Sequence, residues 1–233
     1  MTTKTVKVDR VRSAAEAASL EAHGADIIGV CIDPDPRFAD DRTITVETAV
    51  EIRKALRGTP LALAMNLHAD PADVLRVVAA VGVEWVQTIT TAIPPHPVRL
   101  ALRGAGIGII YASIDISHDD DPSWVFSRYD AEPDINAAMF QVEVLTEYAN
   151  SWAFLRDSSP EYEEEFQIED LDELAQSRPV LTSLDVSPDN LDEILARLPH
   201  VRGLSMTLGE QPTRGDVRFH ALPRILQVLE ALQ

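Results

Sequence analysis

The sequence predicts a (β/α)8 barrel, formed as a single domain over residues 1–233. Short apolar runs alternate strictly with amphipathic segments along the chain, and eight of each can be counted. Several runs, such as "DIIGVCI" at 26–32, are nearly continuous, which is typical of strands buried on both faces of a parallel sheet. A doubly wound open sheet is the alternative, but no glycine-rich phosphate motif follows the first strand.

The alternation assigns each strand and helix in turn. The predicted strands are 5–9, 26–32, 60–66, 83–89, 107–116, 151–156, 179–184 and 201–206. The predicted helices are 13–24, 45–56, 69–82, 96–106, 135–150, 168–177, 187–198 and 220–232. Ser13 and Glu16 form a capping box before the first helix, and Asp70 followed by Pro71 marks the start of the third.

Composition narrows the class of partner. The chain carries 38 acidic and 20 basic residues, a formal net charge of −18, which argues against nucleic acid and anionic membranes as partners. Cys31 is the single cysteine, so an internal disulfide is excluded and a reducing compartment is indicated. No apolar segment resembles a signal peptide or reaches membrane-spanning length. We expect a cytoplasmic monomer or homodimer that acts on a small molecule without a cofactor.

The carboxyl ends of the strands are expected to meet at one mouth, where barrel enzymes have their active sites. Five strands place an aspartate there, and crowded carboxylates raise one another's pKa values toward neutrality. Any one of them can instead be solvated in a loop or cap a helix, and Asp185 directly precedes a predicted helix. These mouth residues are Asp9, Asp33, Arg37, Asn66, His68, Gln87, Ser113, Asp115, His118, Asp157, Asp185 and Thr207.

An enlarged loop, residues 117–134, is predicted after the fifth strand and on the same face. Its aromatic residues Trp124, Phe126 and Tyr129 can form a lid over the mouth or a small surface cluster. It begins with "SHDDD", whose oxygen ligands suit a hard cation. Because no EF-hand spacing or HExxH motif is present, we predict no metal site, although cation binding at 118–121 stays open.

Several segments resemble phosphoribosylanthranilate isomerase, the tryptophan-pathway (β/α)8 enzyme. "KTVKVDRVRSAAEAASLEAHGADIIGV" resembles the opening of that family, which reads Lys-Ile-Cys-Gly, a helix, then Gly-Ala-Asp and an apolar strand. "WVQT", "FLRDSSPEY" and "SPDNLDEIL" resemble its fourth strand, its sixth strand and the helix after its seventh. Pro34, Arg37 and Phe38 resemble its Pro…Arg-Tyr segment. The resemblance follows the family's order over nearly the whole chain.

The resemblance implies an Amadori rearrangement, with a cysteine base after strand one and an aspartate acid after strand six. Asp9 occupies the position of the base and Asp157 matches the acid. Arg37 matches the arginine that grips the substrate carboxylate, and Gln87 matches a polar residue of strand four. We expect Asp9 and Asp157 to be catalytic, and the substrate to contact Arg10, Arg37, Gln87, His68 and Asp185.

The departures from the family concern the base and the phosphate site. Arg10 replaces a glycine, Ile89 replaces the strand-four histidine, and Glu163–Gln167 replaces a glycine-rich loop. The family's Gly-Gly after strand seven and Ser-Gly after strand eight are also absent, being Leu184-Asp185 and Met206-Thr207. Phosphate binding needs close backbone N–H groups and positive charge, so we predict that no phosphorylated sugar binds in the family's manner.

Three functional hypotheses remain open. The first is an acid/base isomerase, or a proton-transfer lyase, acting on a small unphosphorylated substrate. The second is a binding or regulatory protein on an inactive isomerase scaffold, because fold does not determine function. The third is a genuine phosphoribosylanthranilate isomerase with altered residues.

Overall fold

The computed structural model describes residues 4–33, 42–210 and 217–233. Eight parallel strands pair in sequence order, and pairing of the first with the last closes the ring. They are β1 (Thr5–Asp9), β2 (Ile27–Cys31), β3 (Leu61–Ala64), β4 (Trp85–Gln87), β5 (Gly108–Ile116), β6 (Ala137–Val144), β7 (Val180–Ser183) and β8 (Gly203–Leu208). A short strand outside the ring, β9 (Phe219–His220), pairs with β8. The predicted (β/α)8 barrel is confirmed.

Helices connect the strands on the outside of the ring. They are α1 (Ala14–Ala22), α2 (Val46–Ala55), α3 (Pro71–Val81), α4 (His96–Gly104), α5 (Pro122–Val125), α6 (Ser127–Asp130), α7 (Ser151–Ala153), α8 (Ile168–Gln176), α9 (Leu191–Arg197) and α10 (Leu222–Ala231). The predicted N-caps are present: the Ser13 hydroxyl accepts from the Glu16 N–H at 3.2 Å, and the Asp70 carboxylate from the Ala72 N–H at 2.8 Å. The second hydrogen bond of the predicted capping box differs, since the Glu16 carboxylate accepts from the Arg12 N–H at 2.9 Å.

The sixth strand lies elsewhere than predicted. Residues 137–144, assigned to a helix by the sequence, form β6, whereas 151–156, assigned to a strand, begin α7 and a π-helix over Phe154–Ser158. In "AAMFQVEV" the apolar Phe140, Val142 and Val144 alternate with Gln141 and Glu143 and pack into the core outside the ring. This period of two is that of a strand with two different faces.

The segment 117–134 is the crossover between β5 and β6, and it contains α5 and α6. Phe126 and Tyr129 are buried and pack against the ring of Phe140, with centroids 5.0 and 5.4 Å away. Trp124 is 74% exposed. The predicted enlarged loop is therefore largely the helical connection itself, and two of its three aromatic residues belong to the core and cannot form a lid.

The interior of the barrel has two layers of opposite character. An apolar cluster fills the amino-terminal half and consists of Ile27, Ala62, Ile110, Met139 and Leu181, with Trp85 packed against it. The carboxyl-terminal half holds buried polar residues, namely Lys7, Asp9, Gln87, Gln141, Glu143, Ser183, Ser205 and Thr207. Barrel interiors are usually filled by bulky branched side chains, so the polar layer points to a function.

In the described part of the chain, no helix combines the length and apolar character needed to cross a membrane.

Candidate functional site at the carboxyl end of the barrel

A small cavity lies where the carboxyl ends of the strands meet, with a volume of about 20 Å³. A single water needs roughly 10–15 Å³ on the same measure, so the cavity is no larger than one or two waters. Its polar lining comes from β1, β4, β6, β8 and the residues after β1 and β4, and includes Asp9, Arg10, Gln87, Thr88, Gln141, Glu143 and Thr207. Asp9, Arg10 and Gln87 were predicted as site residues, and the structure brings all three together.

Lys7 and Asp9 form a buried ion pair inside the barrel. Both point inward because residues two apart on a strand share a face. The Lys7 ammonium is fully buried and donates to Asp9 Oδ1 and, at 2.9 Å, to Gln141 Oε1. Desolvation by burial lowers the pKa of Lys7 below its usual value, although the negative charges of Asp9 and Glu143 oppose that shift. Buried charges are costly unless they are paired, so this contact is what allows Asp9 to lie at a strand end.

Gly29 provides the space that the Asp9 carboxylate occupies. A Cβ on Gly29 would lie 2.0 Å from Asp9 Oδ1, far inside contact distance. Asp9 is 5% exposed, and its second oxygen, Oδ2, has no hydrogen-bond partner among the described residues. The carboxylate is thus anchored through Oδ1, and Oδ2 is the oxygen left without a hydrogen bond from the described residues.

Arg10 follows β1 in a left-handed conformation, with φ at 64°. Such a backbone costs a non-glycine residue about 1–3 kcal/mol and is concentrated at functional sites. Hydrogen bonds hold this conformation in place, since Arg42 Nη1 donates to the Arg10 carbonyl at 3.1 Å and to the Glu16 carboxylate at 3.3 Å. The Arg12 N–H also donates to Glu16, at 2.9 Å. Arg10 thus adopts a left-handed backbone conformation, which favours glycine, and it stands where the sequence resemblance predicts a glycine.

Glu143 brings a second carboxylate to the cavity. It lies near the end of β6, beside Asp115 of β5 and Ser183 of β7 in the strand register, and is 3% exposed. Strands β6 and β1 are separated in the ring by β7 and β8. Asp9 and Glu143 therefore approach the same cavity from two sides, which is the arrangement that paired acid/base chemistry needs.

Asp157 is placed outside this cavity. It lies in the π-helix, not at a strand end, and it is exposed. Its carboxylate accepts from Arg156 Nε at 2.7 Å and from Nη2 at 2.6 Å, and these hydrogen bonds hold the pKa of Asp157 below its usual value. The match to the family's acid depended on a strand at 151–156, and that strand assignment is wrong.

The other predicted binding residues are dispersed. Asp185 Oδ1 accepts from the Ser151 hydroxyl at 2.8 Å and the Trp152 N–H at 2.7 Å, so it holds the start of α7. His68 is exposed and lines a neighbouring cavity that also includes Asn66 and Thr88. Arg37 lies outside the described residues.

The acidic run after β5 is used in local structure. Asp120 accepts from the Ser117 N–H at 2.7 Å, and Asp121 caps α5 through the Ser123 N–H at 2.9 Å. His118 Nδ1 lies 3.3 Å from a carboxylate oxygen of Glu147. Within residues 4–33, 42–210 and 217–233, no cluster of three or more His, Cys, Asp or Glu side chains is arranged to hold a metal ion.

Two arginines near the ends of β7 and β8 bind main-chain carbonyls. Arg218 is buried, and its guanidinium donates to the carbonyls of Leu145, Tyr148 and Ala149 at 3.0–3.2 Å. Arg224 donates to the Val186 carbonyl at 3.0 and 3.2 Å. The two arginines thus stabilise the loops that follow β6 and β7. In (β/α)8 barrels the loops after strands 7 and 8 commonly bind phosphate.

Fold and site together define a (β/α)8 barrel whose candidate site is a buried polar layer at the carboxyl end. No protein-family model matches the chain, and no curated protein matches it. Solved structures of phosphoribosylanthranilate isomerases do match over their whole length. The enzyme from Pyrococcus furiosus has 17% identity and a TM-score of 0.68, and that from Thermus thermophilus 20% and 0.62, each covering 98% of both chains.

The same likeness extends to a protein of another kind. A Rubisco-like protein from Rhodopseudomonas palustris has 13% identity and a TM-score of 0.58, over 99% of this chain and 63% of its own. At such identities the comparisons show the fold alone. The chain therefore resembles phosphoribosylanthranilate isomerases in fold, as the sequence predicts, and its chemistry has to be argued from its own residues.

Sequence reasoning missed Lys7, Gln141 and Glu143. The signal for Lys7 was present in "TVKVD". Val6 and Val8 pack outside the ring, so Lys7, which lies between them, must face inward. The signal for Gln141 and Glu143 was the same alternation in β6, hidden by the helical assignment of that segment.

Proposed function

We propose that this barrel is an acid/base isomerase, or a related proton-transfer lyase, with Asp9 and Glu143 as its two proton carriers. The observation that carries this proposal is the convergence of these two buried carboxylates on one cavity. Burying a carboxylate is costly, so two of them on one cavity at the carboxyl end of a barrel favour a role in chemistry. The chemistry needs no cofactor.

The proposed reaction is the rearrangement of an aminoaldose to an aminoketose. Glu143, near the end of strand six, protonates the ring oxygen, and the C1–O bond breaks to leave an iminium. Asp9, at the position of the family's base, removes the proton from C2 to give an enaminol. Asp9, whose proton exchanges with solvent, delivers a proton to C1, and Glu143 accepts the proton of the C2 hydroxyl, which yields the ketone. The substrate and product therefore have the same atoms, and both carboxyl groups end in their starting states.

The substrate is proposed to lack a phosphate. Arg218 and Arg224 are committed to carbonyls, and the connection from β6 to α8 carries Glu163, Glu164 and Glu165 where a phosphate loop needs open backbone N–H groups. We further propose a cytoplasmic monomer or homodimer whose partner is this small molecule. The acidic composition and the single cysteine support that setting.

The test uses N-ribosylanthranilate, the unphosphorylated counterpart of the substrate in the neighbours' name. In D2O, mass spectrometry should detect an aminoketose product carrying one deuterium at C1. Asp9→Asn and Glu143→Gln should each lower turnover by about 10²–10⁴-fold, the usual contribution of an acid or base. Glu173→Gln, which changes an exposed acid of α8, is the matched control and should keep the wild-type rate. Equal turnover of the 5′-phosphate would favour the genuine isomerase.

The small cavity favours a second candidate, a binding protein on the same scaffold. A volume of about 20 Å³ does not hold a sugar without movement of the surrounding loops. Such a protein would hold N-ribosylanthranilate or anthranilate at the mouth, above the cavity, so the ligand raises the melting temperature but no deuterated product forms. Turnover that depends on Asp9 would exclude it.

A further inference from the structure

Lys7 contacts Asp9, the proposed base, but it is not one of the residues that line the cavity. It lies one inward-facing position below Asp9 on β1, beside Ser205 of β8. Its ammonium is completely buried, and its described contacts are Asp9 Oδ1 and Gln141 Oε1. Its position lets it act on the chemistry through Asp9, without touching the substrate.

Three contacts determine how the Asp9 carboxylate is presented. Lys7 binds Oδ1 from below, Gln141 holds the ammonium from the opposite strand at 2.9 Å, and Gly29 leaves room for Oδ1 at a place where any side chain would collide. Oδ2, buried and without a hydrogen-bond partner among the described residues, is then the oxygen left to accept a proton. A general base must be oriented in this way to act within hydrogen-bond reach.

We propose that Lys7 is a positioning residue for Asp9: together with Gln141 it anchors Oδ1 and directs Oδ2 to the substrate. This inference rests on the proposed function. The other charged or titratable groups that share the cavity, among the described residues, are Arg10 after β1, Cys31 on β2 and Glu143 on β6. The Lys7 ammonium contacts Asp9 Oδ1 directly.

The test measures kcat and KM for Lys7→Met, using N-ribosylanthranilate as the probe. Loss of the ammonium leaves Asp9 Oδ1 without its anchor, so the carboxylate is no longer held in the orientation that the reaction needs. kcat should fall about 10–100-fold while KM changes little, because substrate contacts remain. Ile110→Val, an equally buried change in the apolar layer of the interior, is the control and should keep the wild-type kcat and KM.

A second variant guards against loss of folding. Lys7→Gln can still donate a hydrogen bond to Asp9 Oδ1, so kcat should fall less than in Lys7→Met. A folded Lys7→Met with the wild-type kcat and KM, in a protein that Asp9→Asn inactivates, overturns the positioning role alone. Absence of wild-type turnover, or full activity in Asp9→Asn, overturns the proposed function and this inference with it.

Discussion

The two ends of the barrel interior differ in what holds them together. The amino-terminal end is an apolar cluster around Ile110 and Leu181, in which packing alone stabilises the fold. The carboxyl-terminal end places Lys7, Asp9 and Glu143 in a comparable degree of burial. Charged groups at that depth cost stability unless each is compensated, so the difference teaches that one end contributes packing to the fold and the other is where the proposed chemistry is located.

The largest expected effect on stability comes from breaking the buried ion pair. Lys7→Met leaves Asp9 without its cation, and removing one partner of such a pair typically costs about 3–5 kcal/mol. Lys7→Met combined with Asp9→Leu removes both charges and should recover more than half of that loss. Urea unfolding at pH 7 measures both variants. Equal losses in the single and double variants would show that the pair's charge is not what Lys7 contributes.

A cavity at the apolar end should cost nearly as much and leave chemistry unchanged. Ile110→Ala removes buried methylenes from the lower layer, for an expected loss of about 2–5 kcal/mol. Its kcat/KM for the probe should stay within about threefold of the wild type, since no cavity-lining residue changes. A large loss of activity in a folded Ile110→Ala would contradict the division between the two ends.

Acid sensitivity should arise partly at the carboxyl end, from His220 on β9. Burial, aided by Arg224 and Arg218, lowers the pKa of His220 to about 3. The unfolded chain therefore takes up a proton below about pH 6.5 while the folded one does not, and stability falls by about 1.4 kcal/mol per pH unit from there toward pH 3. His220→Gln should show a shallower decline in urea unfolding between pH 6.5 and 4.5. An unchanged slope would rule out His220 as the source.

The smallest effect is expected from Glu21, at the end of α1. Hydrogen bonds from the backbone N–H groups of Thr59, Gly58 and Arg57 lower the pKa of Glu21 to about 2. Its contribution is complete above about pH 4.5 and is lost as pH falls toward 2. Glu21→Gln should cost about 1–2 kcal/mol at pH 7. The same cost at pH 2.5 in thermal unfolding would show that charge is not involved.

The sequence predicted the barrel because alternation of strands and helices is a global pattern that survives local errors. It located Asp9, Arg10 and Gln87 through their positions after strands, and the structure brings them to one cavity. It failed at strand six, since "INAAMFQVEVLTEYAN" has enough helix-forming residues to hide a period of two. That error placed Asp157 at a strand end and hid the inward-facing position of Glu143.

The pairing of Lys7 with Asp9 and Gln141 could not be predicted at all. The pairing depends on which side chains face β1 across the interior of the ring. It also depends on Gly29 in β2, which leaves space for the carboxylate of Asp9. Such contacts join residues as much as 134 positions apart. Sequence patterns report which face a residue occupies, but they do not report what lies across that face.

Deuterium incorporation from D2O into the product of N-ribosylanthranilate, compared between Glu143→Gln and Asp157→Asn, tests the central claim most directly. Both variants neutralise one carboxylate without changing its shape, and one lies in the barrel interior while the other is exposed. We expect a loss of about 10²–10⁴-fold for Glu143→Gln and a near wild-type rate for Asp157→Asn. The reverse pattern would contradict the role of Glu143 and would identify the exposed Asp157 as the acid.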